Sequence, residues 1–138
     1  MDGLGLDSFI ENLITTLEGS GMLNDVKFVR EYQALFKENP LRQTLVAVGM
    51  GSMNLKSPED GIEVLVGVLR LNFTIHVPVS AGGDTAHDVF SRLADAVITK
   101  ADDGGISNLY ALGCDAMHYD RPTATIMLNT WIEFLMAP

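Results

Sequence analysis

The sequence predicts an α+β fold: a mainly antiparallel sheet of about five strands, two helices packed on one face, and a projecting β-hairpin arm. Three observations predict it. Apolar residues recur at helical spacing in two separate stretches, one near the start of the chain and one after its midpoint. Between them, three strand candidates follow one another with no helix to carry a crossover, which suits antiparallel pairing. The longest, Ile62 to Val79, runs for eighteen positions. The resulting order is α-β-β-β-α-β-β.

The first helix is read from Phe9, Ile10, Leu13, Ile14 and Leu17, which form one stripe between Asp7 and Leu17, with Ser8 and Glu11 as a capping box ahead of it. Gly19-Ser20-Gly21 ends it, because glycine reaches the left-handed angles of a helix C-terminus. Val26 to Arg30 reads as a short strand. Residues 31–43 keep no clean period and contain Pro40, so they read as a loop or a short turn of helix. Thr44-Leu45-Val46-Ala47-Val48 is the second strand. It is followed by a glycine-bearing loop, Gly49-Met50-Gly51-Ser52-Met53-Asn54, and by turn residues Pro58, Asp60 and Gly61.

In the third strand Leu71, Phe73, Ile75 and Val77 alternate with Arg70, Asn72, Thr74 and His76. Ile62, Val64, Val66 and Val68 hold the opposite phase. The switch near residues 67–69 implies a bulge or a stretch covered on both faces. At about 3.3 Å per residue the strand approaches about 60 Å, longer than a compact domain of this size, so part of it is expected to leave the body as an arm. Ser80-Ala81-Gly82-Gly83 breaks it. Asp84 or Thr85 then caps a second helix with the stripe Val89, Phe90, Leu93, Ala94, Val97 and Ile98, closed by Asp102-Asp103-Gly104-Gly105. Ile106 to Asp115 and Thr123 to Leu135 are the last two strands, joined around Asp120-Arg121-Pro122. Trp131, alternating with Met127 and Asn129, reads as core.

With 47% hydrophobic and 20% charged residues, the 138-residue chain carries enough apolar surface for one core, and residues 1–138 read as a single domain. Nine Lys and Arg against eighteen Asp and Glu leave a net charge of −9. Nine cations spread singly do not replace counterions along a phosphate backbone or an anionic bilayer, so neither nucleic acid nor membrane is an expected partner. The lone Cys114 has no partner for an internal disulfide, and Met1-Asp2-Gly3 is acidic where a secretory leader is basic. The expectation is a soluble intracellular protein.

Chemical motifs are weak. Gly49-Met50-Gly51-Ser52 follows a strand as a dinucleotide loop would, but Asn54 stands at the third glycine position and no helix begins there. Cys114, Asp115, His118 and Asp120 offer metal-capable atoms. In a regular strand, Cys114, His118 and Asp120 share one face but spread too far for one ion. Ser52 and Ser80 lack a nucleophile elbow, and Asp102 and Asp103 sit beside glycines in a solvated turn. No catalytic residue, cofactor or metal is expected. Seven methionines exceed what a small core needs, and Met50, Met53, Met117 and Met136 fall near strand ends or in loops, which suggests a partner surface.

The succession of a short first helix, Val26 to Tyr32, Asn39-Pro40 ahead of Leu45-Val46-Ala47-Val48-Gly49, the long strand ending Phe73-Thr74-Ile75-His76-Val77-Pro78, the Gly82-Gly83 break, the helix through Phe90-Ser91-Arg92-Leu93-Ala94-Asp95-Ala96 and the closing hairpin with Gly113 resembles the tail terminator, or tail completion, proteins of long-tailed bacteriophages and prophages. The likeness covers essentially the whole chain as a pattern of elements. It implies a structural, non-enzymatic protein that closes the tail tube as a homohexameric ring, binds the tail tube protein, and meets the head-tail connector. It further implies a location in the virion tail, and in the host cytoplasm during assembly. The residues expected at the oligomer or tube interface are Met50, Met53, Leu55, Ile62 and Val64. Two other readings stay open: a head-tail joining (neck or head completion) protein, and a small-ligand-binding α+β domain or enzyme with a site near Gly82-Gly83, Cys114 and His118.

Overall fold

The computed structural model describes residues 5–31, 43–56, 66–121 and 124–136. Among them the elements run α1 (Leu6–Glu18), β1 (Lys27–Arg30), β2 (Leu45–Lys56), β3 (Val66–Pro78), α2 (Gly83–Asp102), β4 (Leu109–Asp120) and β5 (Thr125–Met136), with a 3-10 turn, Val79–Ala81, between β3 and α2. This is the expected α+β order. The strands lie side by side as β1-β2-β3-β5-β4. β1 and β2 are parallel and every other neighbouring pair is antiparallel.

The alternation in β3 decides which side of the sheet becomes core. Leu69, Leu71, Phe73, Ile75 and Val77 are wholly buried, and their partners Phe134, Ile132 and Leu128 on β5 and Val48 and Val46 on β2 share that face. α1 covers it with Ile10, Leu13, Ile14 and Leu17, and α2 with Ala86, Val89, Leu93, Ala96 and Val97. Both helices therefore lie on one side. The stripe of α2 is rotated from the expected one: Ala86 and Ala96 are buried, Phe90 is only half-buried, and Ile98 is 47% exposed. Small side chains at 86 and 96 let the helix axis approach the sheet, which moves the bulkier flank outward.

Neither expected side-chain cap forms. Helix α1 starts after Gly5 and α2 after Gly82, both at positive φ (63° and 83°), and neither has a side-chain cap hydrogen bond. Glu11 is engaged elsewhere. Its carboxylate and that of Asp7 each accept a 3.1 Å bond from Arg30, tying α1 to β1. Thr85 donates instead to the Ala81 carbonyl. A second tie holds the segment after α1 to α2: Arg92 donates to both Asp25 oxygens, to the Met22 carbonyl and to Asp88. The pairing with Arg92 holds the Asp25 carboxyl below its ordinary value of 3.8.

Three strand expectations are corrected. The stretch read as a loop, Gly49 to Asn54, is strand: β2 continues to Lys56 and pairs with β3 throughout. The irregularity expected near residues 67–69 sits on the neighbouring strand, as a bulge between Met50 and Ser52 opposite Leu71 and Arg70. β3 from Gly67 to His76 is flanked by β2 on one side and β5 on the other, so the described part of the long ribbon is central rather than projecting. The turn of the expected arm falls on 57–65, and most of the expected loop on 32–42, both outside the described residues.

Gly67 marks how closely β2 approaches. A Cβ there would run into the backbone carbonyl of Asn54 and lie 2.9 Å from the Leu55 Cα. Backbone does not yield as a flexible side chain does. Gly67→Ala should therefore destabilise the protein by about 1 to 3 kcal/mol, measured as a lower midpoint in urea with an unchanged slope.

Candidate functional site on the second face of the sheet

The even-numbered residues of β3 point away from the helices, and register sets their neighbours: Arg70 opposite Glu133, Asn72 opposite Trp131, Thr74 opposite Asn129, His76 opposite Met127. Glu31, just past β1, reaches over this face against Gly49. Trp131, expected in the core, is instead half-buried on the outer side. The buried residues of β5 are the alternate ones, from Leu128 to Phe134. Arg70 lies over the indole with Cζ 4.3 Å from the ring centroid, and its Nε and Nη2 both donate to Glu133 at 2.9 Å. Across β4 the ring edge rests on Gly113, where a Cβ would come within 2.6 Å of it. Partial exposure keeps the ion pair itself modest, so the stack mainly fixes the position of the indole.

Towards the other end of this face lies a hollow of about 210 Å³, lined by Glu31, Ala47, Thr74, His76, Asp120, Met127 and Asn129. His76 is 4% exposed, and its Nδ1 stands 3.1 Å from the hydroxyl of the fully buried Thr125. Burial pushes the His76 pKa below 6.5; the nearby Asp120 charge opposes that shift and His118 adds to it. A histidine depressed in this way is neutral in the folded protein near pH 7. Stability is complete above the unfolded value of 6.5 and falls as pH drops from there towards the folded pKa, because the unfolded chain takes up the proton first. In that window His76 contributes a decline of up to about 1.4 kcal/mol per pH unit. His76→Gln keeps a hydrogen-bonding partner for Thr125 and should flatten this part of the profile, measured by chemical denaturation between pH 7.5 and 5.

The residues expected at an interface are distributed differently from the sequence reading. Met50 is 51% exposed at the β2 bulge, whereas Met53 packs on the core and Leu55 is half-buried. Ile62 and Val64 lie outside the described residues. Met117 and Met136 also pack against the core, as gap fillers. The site suggested near Gly82-Gly83, Cys114 and His118 does not assemble. Gly83 packs on Met117 from the helix side, with a Cβ position 3.1 Å from its sulfur, while His118 pairs with Met127 of the opposite face. A bulge between Cys114 and Met117 also separates Cys114, opposite the inward Thr130, from His118 and Asp120, so these three do not share a face. Among the described residues no three His, Cys, Asp or Glu side chains converge on a metal position.

What sequence reading missed is the hollow. Thr74 and His76 fall on one face by alternation, but Asn129 joins them only because β3 pairs with β5 rather than with the strand next in sequence, and Asp120 only through the register of β4 on β5.

At the edges of the sheet the pattern is asymmetric. β4 is the last strand on one side, with Tyr110 and Tyr119 58% and 57% exposed. On the other side, β1 pairs only Leu45 to Val48 of β2, leaving Gly49 to Lys56 without a neighbouring strand there among the described residues. No protein-family model matches the chain, and no curated protein sequence matches it.

Proposed function

We propose that this protein is a structural phage or prophage protein that caps the tail tube as a ring, ending tail polymerisation and preparing head joining. Its partners in this reading are further copies of itself in a hexamer, the tail tube protein and the head-tail connector. The observation that supports it most is the pair of unlike strand edges that the described residues leave on opposite sides of one sheet: the whole of β4 and the second half of β2.

Unlike edges make heterologous contacts. When the β4 of one copy adds to the β2 edge of the next, each junction gains main-chain hydrogen bonds, and the chain of copies closes if the rotation per step divides a full turn. β4 carries no lysine or proline, its irregularities lie between Leu109 and Ala111 and between Cys114 and Met117, and it presents two tyrosines, a residue favoured at interface centres. Met50 lies on the other edge, where an adaptable side chain suits a seam between copies. Nine excess negative charges per subunit suit a conduit through which DNA slides, since phosphates are repelled within about 10 Å of the wall.

Light scattering and negative-stain microscopy with tail tubes test this. The parent protein should form rings on tube ends and hold tube length constant. Tyr110→Lys with Tyr119→Lys should melt at the parent temperature yet leave tubes uncapped. A parent that never alters tube length removes the proposal, and a double variant that caps normally removes β4 from it.

A further inference from the structure

We propose that a second copy of this chain docks in one fixed register: β4 of one copy lies antiparallel to the free half of β2 in the next, with Met117, Cys114 and Leu112 opposite Met50, Met53 and Leu55. This rests on the ring reading and gives its seam a direction, a face and named partners.

The two edges lack the same thing. β4 has no buried residue, and β2 has none from Met50 to Leu55. Both nevertheless carry an apolar row on the side where the helices lie. On β2 the row is Met50, Met53 and Leu55, opposite the inward positions Leu71, Leu69 and Gly67 of β3. On β4, Leu112, Cys114 and Met117 stand opposite the inward Ile132, Thr130 and Leu128 of β5. Those three β5 residues are at most 2% exposed, whereas Leu112 and Met117 beside them are only half-buried and Cys114 is exposed. Each row is packed on one flank and, among the described residues, open on the other. Joining them buries both open flanks on the helix side of one continuous sheet.

Direction follows from topology. Three antiparallel pairings separate β2 from β4 in one chain, so the two strands run oppositely. A ring that continues one sheet with all helices on the same side preserves strand direction from copy to copy. β4 therefore meets the next β2 antiparallel.

Register follows from the bulges. Residues on one face of a regular strand are two apart. The bulge between Met50 and Ser52 makes the β2 row step by three and then by two, through Met50, Met53 and Leu55. β4 has its own irregularities, so its row read backwards runs Tyr119, Met117, Cys114, Leu112, Leu109. A step of three followed by a step of two occurs in it once, at Met117, Cys114 and Leu112. That alignment sets the two bulges side by side, and a slip of one residue would turn an apolar row outwards. β1 covers β2 only up to Val48, so the ladder begins at Gly49 and the last residues of β4 leave it there.

Charge agrees with this choice of partner. Copies with a net charge of −9 repel, so their contact must fall where carboxylates do not oppose one another. Gly49 to Lys56 contains no carboxylate and ends on a lysine, while β4 carries Asp115 and Asp120 and neither lysine nor arginine.

Disulfide trapping reads the register, because a bridge needs Cα atoms about 4.4 to 6.8 Å apart. Cys114 is the chain's single cysteine, and Met53→Cys places a thiol opposite it in the next copy. Within one copy the two positions are three strand spacings apart, about 14 Å, so only different copies can be linked. Oxidised with copper phenanthroline, alone and on tail tubes, Met53→Cys should give a ladder of dimers, trimers and larger species on a non-reducing gel. Met50→Cys with Met117→Cys, in a Cys114→Ala background, is a second opposed pair and should do the same. Met50→Cys with native Cys114 is offset by three residues and should link about tenfold less. No ladder from either opposed pair, equal linking in the offset variant, or a ladder that stops at dimers would overturn the proposal. Tube capping without ladders would leave the ring reading in place and remove this seam. Ladders without tube capping would keep the seam and remove the tail reading.

Discussion

Phe134→Ala should cost about 3 to 5 kcal/mol, the largest loss expected from a single side chain in this protein. Phe134 is 1% exposed near the end of β5, and its ring and that of Phe9 meet in a T-shaped contact at 88° with centroids 5.1 Å apart. Truncation removes the apolar surface of the ring and also the partner that anchors α1 over the sheet. A domain of this size has only about 5 to 15 kcal/mol to lose, so the variant should unfold at a far lower urea concentration. Phe9→Ala should cost less, since Phe9 is only half-buried, and a double-mutant cycle should return about 0.5 to 1.5 kcal/mol of coupling. Phe90→Ala, which the helical stripe alone would rank with core truncations, should also cost less than Phe134→Ala. Its ring flanks the buried stripe rather than lying on it.

Phe134 and Phe90 show where the sequence was legible. Strict alternation in β3 identified its core face correctly from Leu71 to Val77, because a period of two follows directly from strand geometry. The stripe of α1 was right for the same reason with a period of 3.6. The stripe of α2 was off by a fraction of a turn. Apolar residues on both flanks leave the phase open, and the choice is made by which small residues let the helix approach the sheet.

Glycine misled in two opposite ways. Gly49 and Gly51 looked like a loop, yet both are strand positions where a neighbour crowds in. A Cβ on the first would lie 2.8 Å from Glu31, and on the second 2.7 Å from the Asn72 amide oxygen. Gly5 and Gly82, by contrast, start the helices that polar caps had been expected to start. A glycine that permits close approach and one that permits positive φ look alike in a sequence. The candidate site was less legible still, since the hollow depends on strand order. The chain visits β4 before β5, but β5 is the one that lies beside β3.

Deletion of residues 50–60 should leave a chain with no cooperative unfolding transition. Read as a loop, this segment would be dispensable for folding and needed only for assembly. The strand pairing says otherwise. The deletion removes Met50 to Lys56 from β2 and so strips one neighbour from β3 between Val66 and Leu71. Leu69 and Leu71, both 0% exposed, lie on the stretch that loses its partner, and Met53 leaves the core with the deleted segment. Unpaired backbone beside an open core is the state a sheet protein tolerates least, because each buried amide or carbonyl left without a partner costs about 1 to 3 kcal/mol. Several such groups together exceed the whole stability of the domain. Met50→Lys tests the proposed seam role of the same segment: its side chain is 51% exposed, so the charge should leave the melting temperature within a degree or two of the parent and, if copies meet there as proposed, weaken their contact. A folded deletion variant in circular dichroism and urea titration would mean that the second half of β2 is an appendage. An unfolded deletion beside a folded, non-assembling Met50→Lys would mean that this half-strand both completes the sheet and presents its edge to the next subunit.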